Sequence, residues 1–409
     1  MAVSEKTIDR LVNRLNTYTQ NANDYFIKKM GEAISQIREL SPSDAHKLVQ
    51  MLKYGGNYQD ILRELSNVSG IPRKEIENIF SNYAKIDQSF YEKFYKYRNT
   101  RYIPFDENIA LKRQTRALAE LTHGTLKNFT RQQSLGYSFR DLKGNIRFHG
   151  LKETYERVLD EAVLNIGQGK EGFDASMSKL IKEIGGSGLR TLDYNGRTLR
   201  LDSAVEMHLR SALNNLHNEN QKIIAKEIDA DGVEISVHLN PAPDHEEVQG
   251  RQFSKTEYKK LQKGDDATDY NTKETYTLVH SKSGSYRPIS EYNCFHYVFA
   301  IVLGVSKPQY SDDKLQEIRD KNNEGFMLDG KHYTNYQGTQ LQRLIERKIR
   351  EQQDIEMFAR ESNIMDTALE SQRNINALLN TYKKVSDASG LPMNTKKLFS
   401  EGYRFAKIK

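Results

Sequence analysis

"GVEISVHLNPAPDHEEVQGRQFS" (Gly232–Ser254) begins with the alternation a strand needs and ends in a polar loop rich in reactive side chains. Val233, Ile235, Val237 and Leu239 recur at period two, which predicts a half-buried strand with His238 on its other face. Pro241 and Pro243 fix their φ angles and turn the chain. His245 and the Gln249–Gly250 pair follow. Downstream, "RPISEYNCFHYVF" holds Cys294, the only cysteine, two residues before His296. The apolar run Tyr297–Val305 is too short to cross a bilayer and predicts a buried core element. The middle of the chain therefore reads as a small α+β module.

Helical patterns dominate on the N-terminal side. In "SPSDAHKLVQML", Ser41 is placed as N-cap, Pro42 at the first helical position and Asp44 near the positive helix end. Ala45, Leu48, Val49 and Leu52 share a face, as do Ile61, Leu62 and Leu65 in the next segment. A longer helix is expected from Asp106 to about Arg131. Residues 1–131 are thus predicted to form a helical bundle. The tyrosine-rich stretch Tyr91–Tyr102 supplies side chains suited to an interface. Residues 132–189 read as a mixed connection: "GYSFRDLKGNIRFHG" is β-like, helical patterns return, and "GGSG" (Gly185–Gly188) predicts a loop and a domain boundary.

The central module is placed at 190–310. Asn195–Gly196 predicts a hairpin in "LDYNGRTLRLD". Ser203 and Glu206 predict a capping box, followed by the stripe Val205, Leu209, Ala212, Leu213 and Leu216. "ETYTLVHS" reads as a further strand. In residues 311–409, Asp329–Gly330 predicts a second hairpin, then a long amphipathic helix from about Thr339. Its apolar stripe is Leu341, Leu344, Ile345, Ile349, Ile355 and Ala359. The fold class is α+β, with a mainly helical N-terminal half, a small central module and a C-terminal hairpin plus long helix.

Composition narrows the function. Of 409 residues, 61 are Lys or Arg and 55 are Asp or Glu, giving a net charge of +6, and only 37% are hydrophobic. Mild basicity permits contact with nucleic acid or an acidic surface without demanding either. A single cysteine excludes an internal disulfide framework. Charges within "MAVSEKTIDRLVNRL" argue against a signal peptide, and no membrane partner is expected.

Three chemistries can be weighed against a structural role. His238, His245, Cys294 and His296 are zinc-ligand types, but their spacing departs from the usual short ligand pairs, so no metal or other cofactor is expected. His245, Asn293 and His296 could serve a metal-dependent nuclease, yet no acidic ligand is placed beside them. A Cys294–histidine nucleophile is disfavoured because the thiol abuts an apolar run. No phosphate-binding loop is present: "GQGKEGFDAS" follows a helix, not a strand. Arg343, Arg347 and Arg350 could contact phosphates. Alternatively that face is solvated, with Glu346 and Arg350 paired.

The order of these segments resembles the phage minor capsid protein 2 family, itself distantly similar to the head-morphogenesis protein F of phage Mu. The resemblance rests on "YNGRTLRLD", on His238 and His245 followed by Gln249–Gly250, and on Asn293–Cys294 and His296 ahead of Gly304 and Ser306. "LDGKHYTNYQGTQLQRLIERKIR" and "SPSDAHKLVQMLKYGGN" extend it over most of the chain. Val248 stands where the family commonly has Trp, and Phe295 where it often has Arg. The resemblance implies a virion protein of a tailed phage with a Gram-positive host, located in the head interior or at the portal vertex. It implies the portal and major capsid proteins as partners, with residues 1–131 as the docking region. A part in DNA packaging or delivery and non-specific contact with phage DNA are further implications, and no catalytic residues are. Gly196, Arg197, His238, Pro243, His245, Gln249, Gly250, Asn293, Cys294, His296 and Gly304 are accordingly expected to be a structural motif.

Overall fold

A computed structural model describes residues 5–54, 57–97, 99–140, 143–193, 196–278, 286–290, 294–394 and 398. The chain opens with α1 (Glu5–Arg38), α2 (Pro42–Tyr54), α3 (Asn57–Ser69), α4 (Arg73–Ser89), α5 (Glu92–Tyr97) and α6 (Ile109–Phe129). Strands β1 (Leu135–Arg140) and β2 (Ile146–Gly150) precede α7 (Leu151–Asn165) and α8 (Gly169–Ser187). Then come β3 (Arg190–Leu192), β4 (Thr198–Arg200), α9 (Leu201–Glu227), β5 (Gly232–Ile235), β6 (Gln252–Ser254) and α10 (Lys255–Leu261). β7 (Ala267–Thr268), β8 (Thr275–Tyr276), β9 (Val298–Ile301), α11 (Asp312–Glu324), β10 (Phe326–Leu328), β11 (Lys331–Tyr333), α12 (Asn335–Glu361) and α13 (Met365–Ser389) complete it. This is the α+β class with a helical bulk that the periodicities predict.

The long first helix was not read from the sequence, although its signal is there. Ile8, Val12, Leu15, Thr19, Ala22, Phe26, Met30, Ala33 and Ile37 are all buried, at steps of three and four. That period places them along one stripe of a helix. α1 packs on α3, α9 and α12 and is the spine of the largest core. α2 starts as expected: the Asp44 N–H donates to Ser41 Oγ at 3.3 Å, and Ala45 and Val49 are buried.

β1–β2 and β3–β4 form one antiparallel sheet in the order β2-β1-β3-β4, with Gly136 opposite Arg190. The sheet thus pairs residues on both sides of position 189. The glycine run expected as a loop is helical through Ser187. Gly185 lies against α12, where an added Cβ would stand 2.7 Å from the Ile355 backbone nitrogen. Glycine is there for close helix approach rather than for a linker. The β3–β4 hairpin forms, but Asn195 lies outside the described residues.

Two capping expectations meet different outcomes. α9 begins at Leu201 with Arg200 as N-cap, so Ser203 lies inside the helix and its N–H donates to Asp202 Oδ1 at 2.7 Å. Strand β4 runs straight into the helix, and no separate cap is needed. Glu206 instead meets Arg210, 3.1 Å away. The stripe Val205, Leu209, Ala212, Leu213 and Leu216 is buried as predicted. α12 carries a true capping box, Thr334 with Gln337, before the expected start.

The central sheet is β6-β5-β9, antiparallel throughout, with Ile235 opposite Val298. β5 is its middle strand and is buried on both faces: Glu234 and Ile235 are both inaccessible, whereas Leu239 is exposed. The half-buried alternation therefore fails, because β6 and β9 flank β5 while helices and loops cover it. The apolar run supplies β9, all four residues buried.

At the C-terminal side the β10–β11 hairpin turns at Asp329 (φ 50°) and Gly330 (φ 78°), the left-handed pair of a tight hairpin turn. A second long helix, α13, packs along α12 and was not foreseen. Asn363 makes the break at φ 58°. The Ile364 N–H donates to the Ala359 carbonyl at 2.9 Å and the Asn363 N–H to Arg360 at 3.0 Å, a Schellman cap without glycine or proline.

The tyrosine-rich stretch also turns inward. Tyr91 and Tyr95 are buried with Ile224, Ile228 and Phe299. Tyr91 donates to Gln221 Oε1 at 2.6 Å, and Tyr95 donates to Glu227. Tyr91 and Tyr95 thus complete the chain's own core and are not offered to an interface, whereas Tyr102 is only partly buried. Likewise Ile61, Leu62 and Leu65 are buried in the main core.

Candidate functional site

The loop between β5 and β6 folds back on the strand that leads into β9. Past Ile235, the Ser236 N–H donates to the Tyr297 carbonyl and the Tyr297 N–H to Ser236 Oγ, each at 2.8 Å. The Gly250 N–H closes the loop on the Ile235 carbonyl at 2.9 Å. Gly250 has φ +75°, and a Cβ there would meet Leu315 Cδ2 at 2.5 Å and Val237 Cγ2 at 2.9 Å. Both conformation and space exclude a side chain. Val248 is fully buried in one core cluster with Phe253 and Ile289.

This closure brings three side chains together. His245 Nδ1 lies 3.4 Å from Cys294 Sγ, and His296 Nδ1 lies 3.5 Å from the same sulfur. Their donor atoms all fall within 4.8 Å of one another, and all three residues are buried. Each remote ring nitrogen has an oxygen partner. His245 Nε2 lies 2.7 Å from the Arg287 carbonyl, and His296 Nε2 lies 3.3 Å from Gln249 Oε1. The His238 N–H also donates to Gln249 Oε1, at 3.3 Å, which identifies that atom as the amide oxygen. The His296 N–H donates to Cys294 Sγ at 3.4 Å.

Burial sets the electrostatics. It holds both His245 and His296 below the ordinary imidazole range, so the neutral rings are favoured. It pushes the Cys294 thiol up, and no thiolate nucleophile is prepared. Asp244, next to His245, is held by a two-point ion pair with Arg287 at 2.9 and 3.0 Å.

The other expected residues are placed as follows. His238 is half-buried, its ring 4.4 Å from that of His296. Pro243 sits in the exposed loop turn, and Gly304 (φ +73°) in the turn after β9. Gly196 and Arg197 belong to the β3–β4 turn in the other sheet. Asn293 lies outside the described residues. Arg343 stands 5.4 Å from the Phe295 ring centre, as does Arg210, so an aromatic ring takes the place where Arg would face two guanidinium groups. Arg347 is exposed. Arg350 turns inward to Asp202, at 3.4 Å, and Glu346 accepts from the Tyr382 hydroxyl at 2.9 Å, so the expected Glu346–Arg350 pair does not form.

Sequence reasoning missed two buried polar groups. His217 on α9 has Nδ1 2.8 Å from Asp87 and Nε2 2.9 Å from the Val298 carbonyl, tying α4 to β9. A single histidine within a helix carries no local signal of such a link. The second group gathers α1, α9 and α12. Arg200 meets Asp354 at 3.2 Å and Asp202 at 3.4 Å, and Asn23 donates to Asp354 Oδ1 at 2.9 Å. Burial raises Asp24 to about 7, with the nearby Asp354 adding to it, and raises Asp354 to about 6. Burial also pushes Asp202 up, but Arg200 and Arg350 outweigh it and hold it below its usual value. No local motif announces residues so far apart in sequence.

The chain matches the sequence profile described as "Phage minor capsid protein 2" over residues 3–384. The protein belongs to the phage minor capsid protein 2 family. This minor capsid protein is thus a structural component of a virion, and it acts among other virion proteins. Comparisons with curated proteins and with solved structures found no match. Among the described residues no helix is long and apolar enough to cross a membrane.

Proposed function

We propose that this minor capsid protein serves head assembly at the portal vertex, as a non-enzymatic part contacting the portal and the adjacent major capsid protein. The observation that carries a structural reading of the central site is its burial. His245, Cys294 and His296 are 0%, 9% and 1% exposed, which leaves a macromolecular substrate no approach to them. A nuclease would need its base and metal open to a phosphate. Docking through the N-terminal region then falls to its outer surface, where α2 exposes Met51 and Tyr54 while its other apolar residues face the core. Contact with DNA is weak and non-specific in this reading. A chain of net charge +6 with few phosphate contacts loses affinity steeply with salt.

Gentle disruption of purified heads tests the proposal. The chain should remain with complexes that contain the portal, and the double variant Met51→Asp, Tyr54→Asp should be under-represented in heads. Recovery with portal-free shell fragments alone would overturn the location. Magnesium- or manganese-dependent DNA cleavage, abolished by a folded His245→Ala chain, would overturn the non-enzymatic role.

A further inference from the structure

We infer that His245, Cys294 and His296 bind a zinc ion through His245 Nδ1, the Cys294 sulfur and His296 Nδ1. The three residues lack the usual ligand spacing along the chain, and the fold nevertheless brings their donor atoms together. Zinc binds sulfur at about 2.3 Å and imidazole nitrogen at about 2.0–2.1 Å, so a nitrogen–sulfur edge of a tetrahedral site measures about 3.5 Å. The two edges here measure 3.4 and 3.5 Å. All three ligand atoms lie within 4.8 Å of one another, so closure of the two rings toward the sulfur seats the ion.

Hydrogen bonding on the far side of each ring points the same way. A backbone carbonyl can only accept, so His245 Nε2 carries the proton toward Arg287. Gln249 Oε1 already accepts from the His238 N–H, so His296 Nε2 carries its proton too. In neutral rings both Nδ1 lone pairs are then left facing one sulfur. A thiol has one proton and can serve only one of them. A cation in the middle serves both. Oxygen acceptors on the remote nitrogens are also the arrangement that orients histidine ligands and strengthens them as donors. The N–H of His296 donating to Sγ favours a negatively charged sulfur.

Two imidazoles and a thiolate suit zinc better than magnesium or calcium, which prefer oxygen. On binding, the Cys294 S–H bond breaks, a zinc–sulfur bond forms and the proton leaves to solvent. No oxidant or reductant is involved. The ion would pin the β5–β6 loop to the entry of β9. That role is structural and independent of where in the head the protein sits.

The test uses the full, untagged chain purified without chelator. Elemental analysis should find zinc at about one equivalent. After chelation and reloading with Co²⁺, a thiolate-to-cobalt charge-transfer band should appear, with release of a thiol proton. Cys294→Ser should abolish the band. Gln249→Leu, which leaves all three ligands in place, should weaken cobalt binding by about 10–100-fold. Should Cys294→Ser fail to fold, the wild-type band and the Gln249→Leu shift still decide the matter. A folded wild-type chain that holds neither zinc nor Co²⁺ would overturn the inference, as would a cobalt spectrum unchanged in folded Cys294→Ser.

Discussion

Two buried polar clusters in this minor capsid protein are held by opposite means. Around His245, Cys294 and His296 the partners are a backbone carbonyl, an amide oxygen and a backbone N–H. No formal charge has to be balanced, and donor lone pairs remain turned toward a common point. Between α1, α9 and α12, Asp202 and Asp354 face Arg200 and Arg350, with half-buried Asp24 beside them. There every charge leans on another, and the carboxylate oxygens of Asp202 and Asp354 are already engaged. The neutral cluster can accept an ion. The charged one is sensitive to losing a member, because breaking a buried pair strands the remaining charge.

The largest expected effect lies in the charged cluster. Arg200→Met takes the guanidinium from Asp354, leaves Asp202 with Arg350 alone, and should cost about 3–5 kcal/mol in denaturant unfolding at pH 7.5. A loss below about 1 kcal/mol would mean that water already screens the pair, and the contrast with the neutral cluster would collapse.

Next comes the loop that builds the neutral cluster. Gly250→Ala requires a left-handed backbone with a Cβ against Leu315 and Val237. It should destabilise by about 1–3 kcal/mol, read as a shift in the urea midpoint with an unchanged slope. A neutral result would show that the loop can relax without scattering the three side chains.

The pH response separates the clusters by sign. Asp24 and Asp354, at about 7 and about 6, lie above the ordinary aspartate value. Between the unfolded and folded values the native chain binds protons more tightly than the unfolded one. This contribution to stability is complete near pH 4 and lost as pH rises through 6 to 7. Asp24→Asn, which mimics the protonated form, should stabilise the chain by about 1–2 kcal/mol at pH 8 and have little effect near pH 4. Equal effects at both pH values, followed by chemical denaturation, would assign the change to packing instead.

The smallest effect is expected at the rim of the neutral cluster. His238→Ala keeps the backbone N–H that fixes Gln249 and removes a half-buried ring, so a cost within about 1 kcal/mol is expected by thermal unfolding. A cost above about 2 kcal/mol would make His238 a full member of the cluster rather than its cover.

Much of this was legible residue by residue. The caps of α2, the stripe of α9, the Asp329–Gly330 hairpin and the apolar strand β9 follow from local propensity and period. The first helix is equally legible in the three-and-four spacing of its buried residues, although charged and polar residues separate them. The α12–α13 break was not, because Asn363 ends a helix without the glycine or proline that usually marks the place. The inward turn of Tyr91 and Tyr95 was also hidden, since a tyrosine serves a core with a buried acceptor as well as it serves an interface.

By itself the sequence determined which segments are helix or strand, and the order of segments that marks the family. Those are properties of neighbours along the chain, set by φ and ψ preferences and by apolar period. Only the tertiary structure decided which polar side chains meet. His245 and Cys294 are separated by 49 positions, and Arg200 and Asp354 by 154. Their pairing depends on the direction of a lone pair and the loss of water around it, and both arise only when the elements pack.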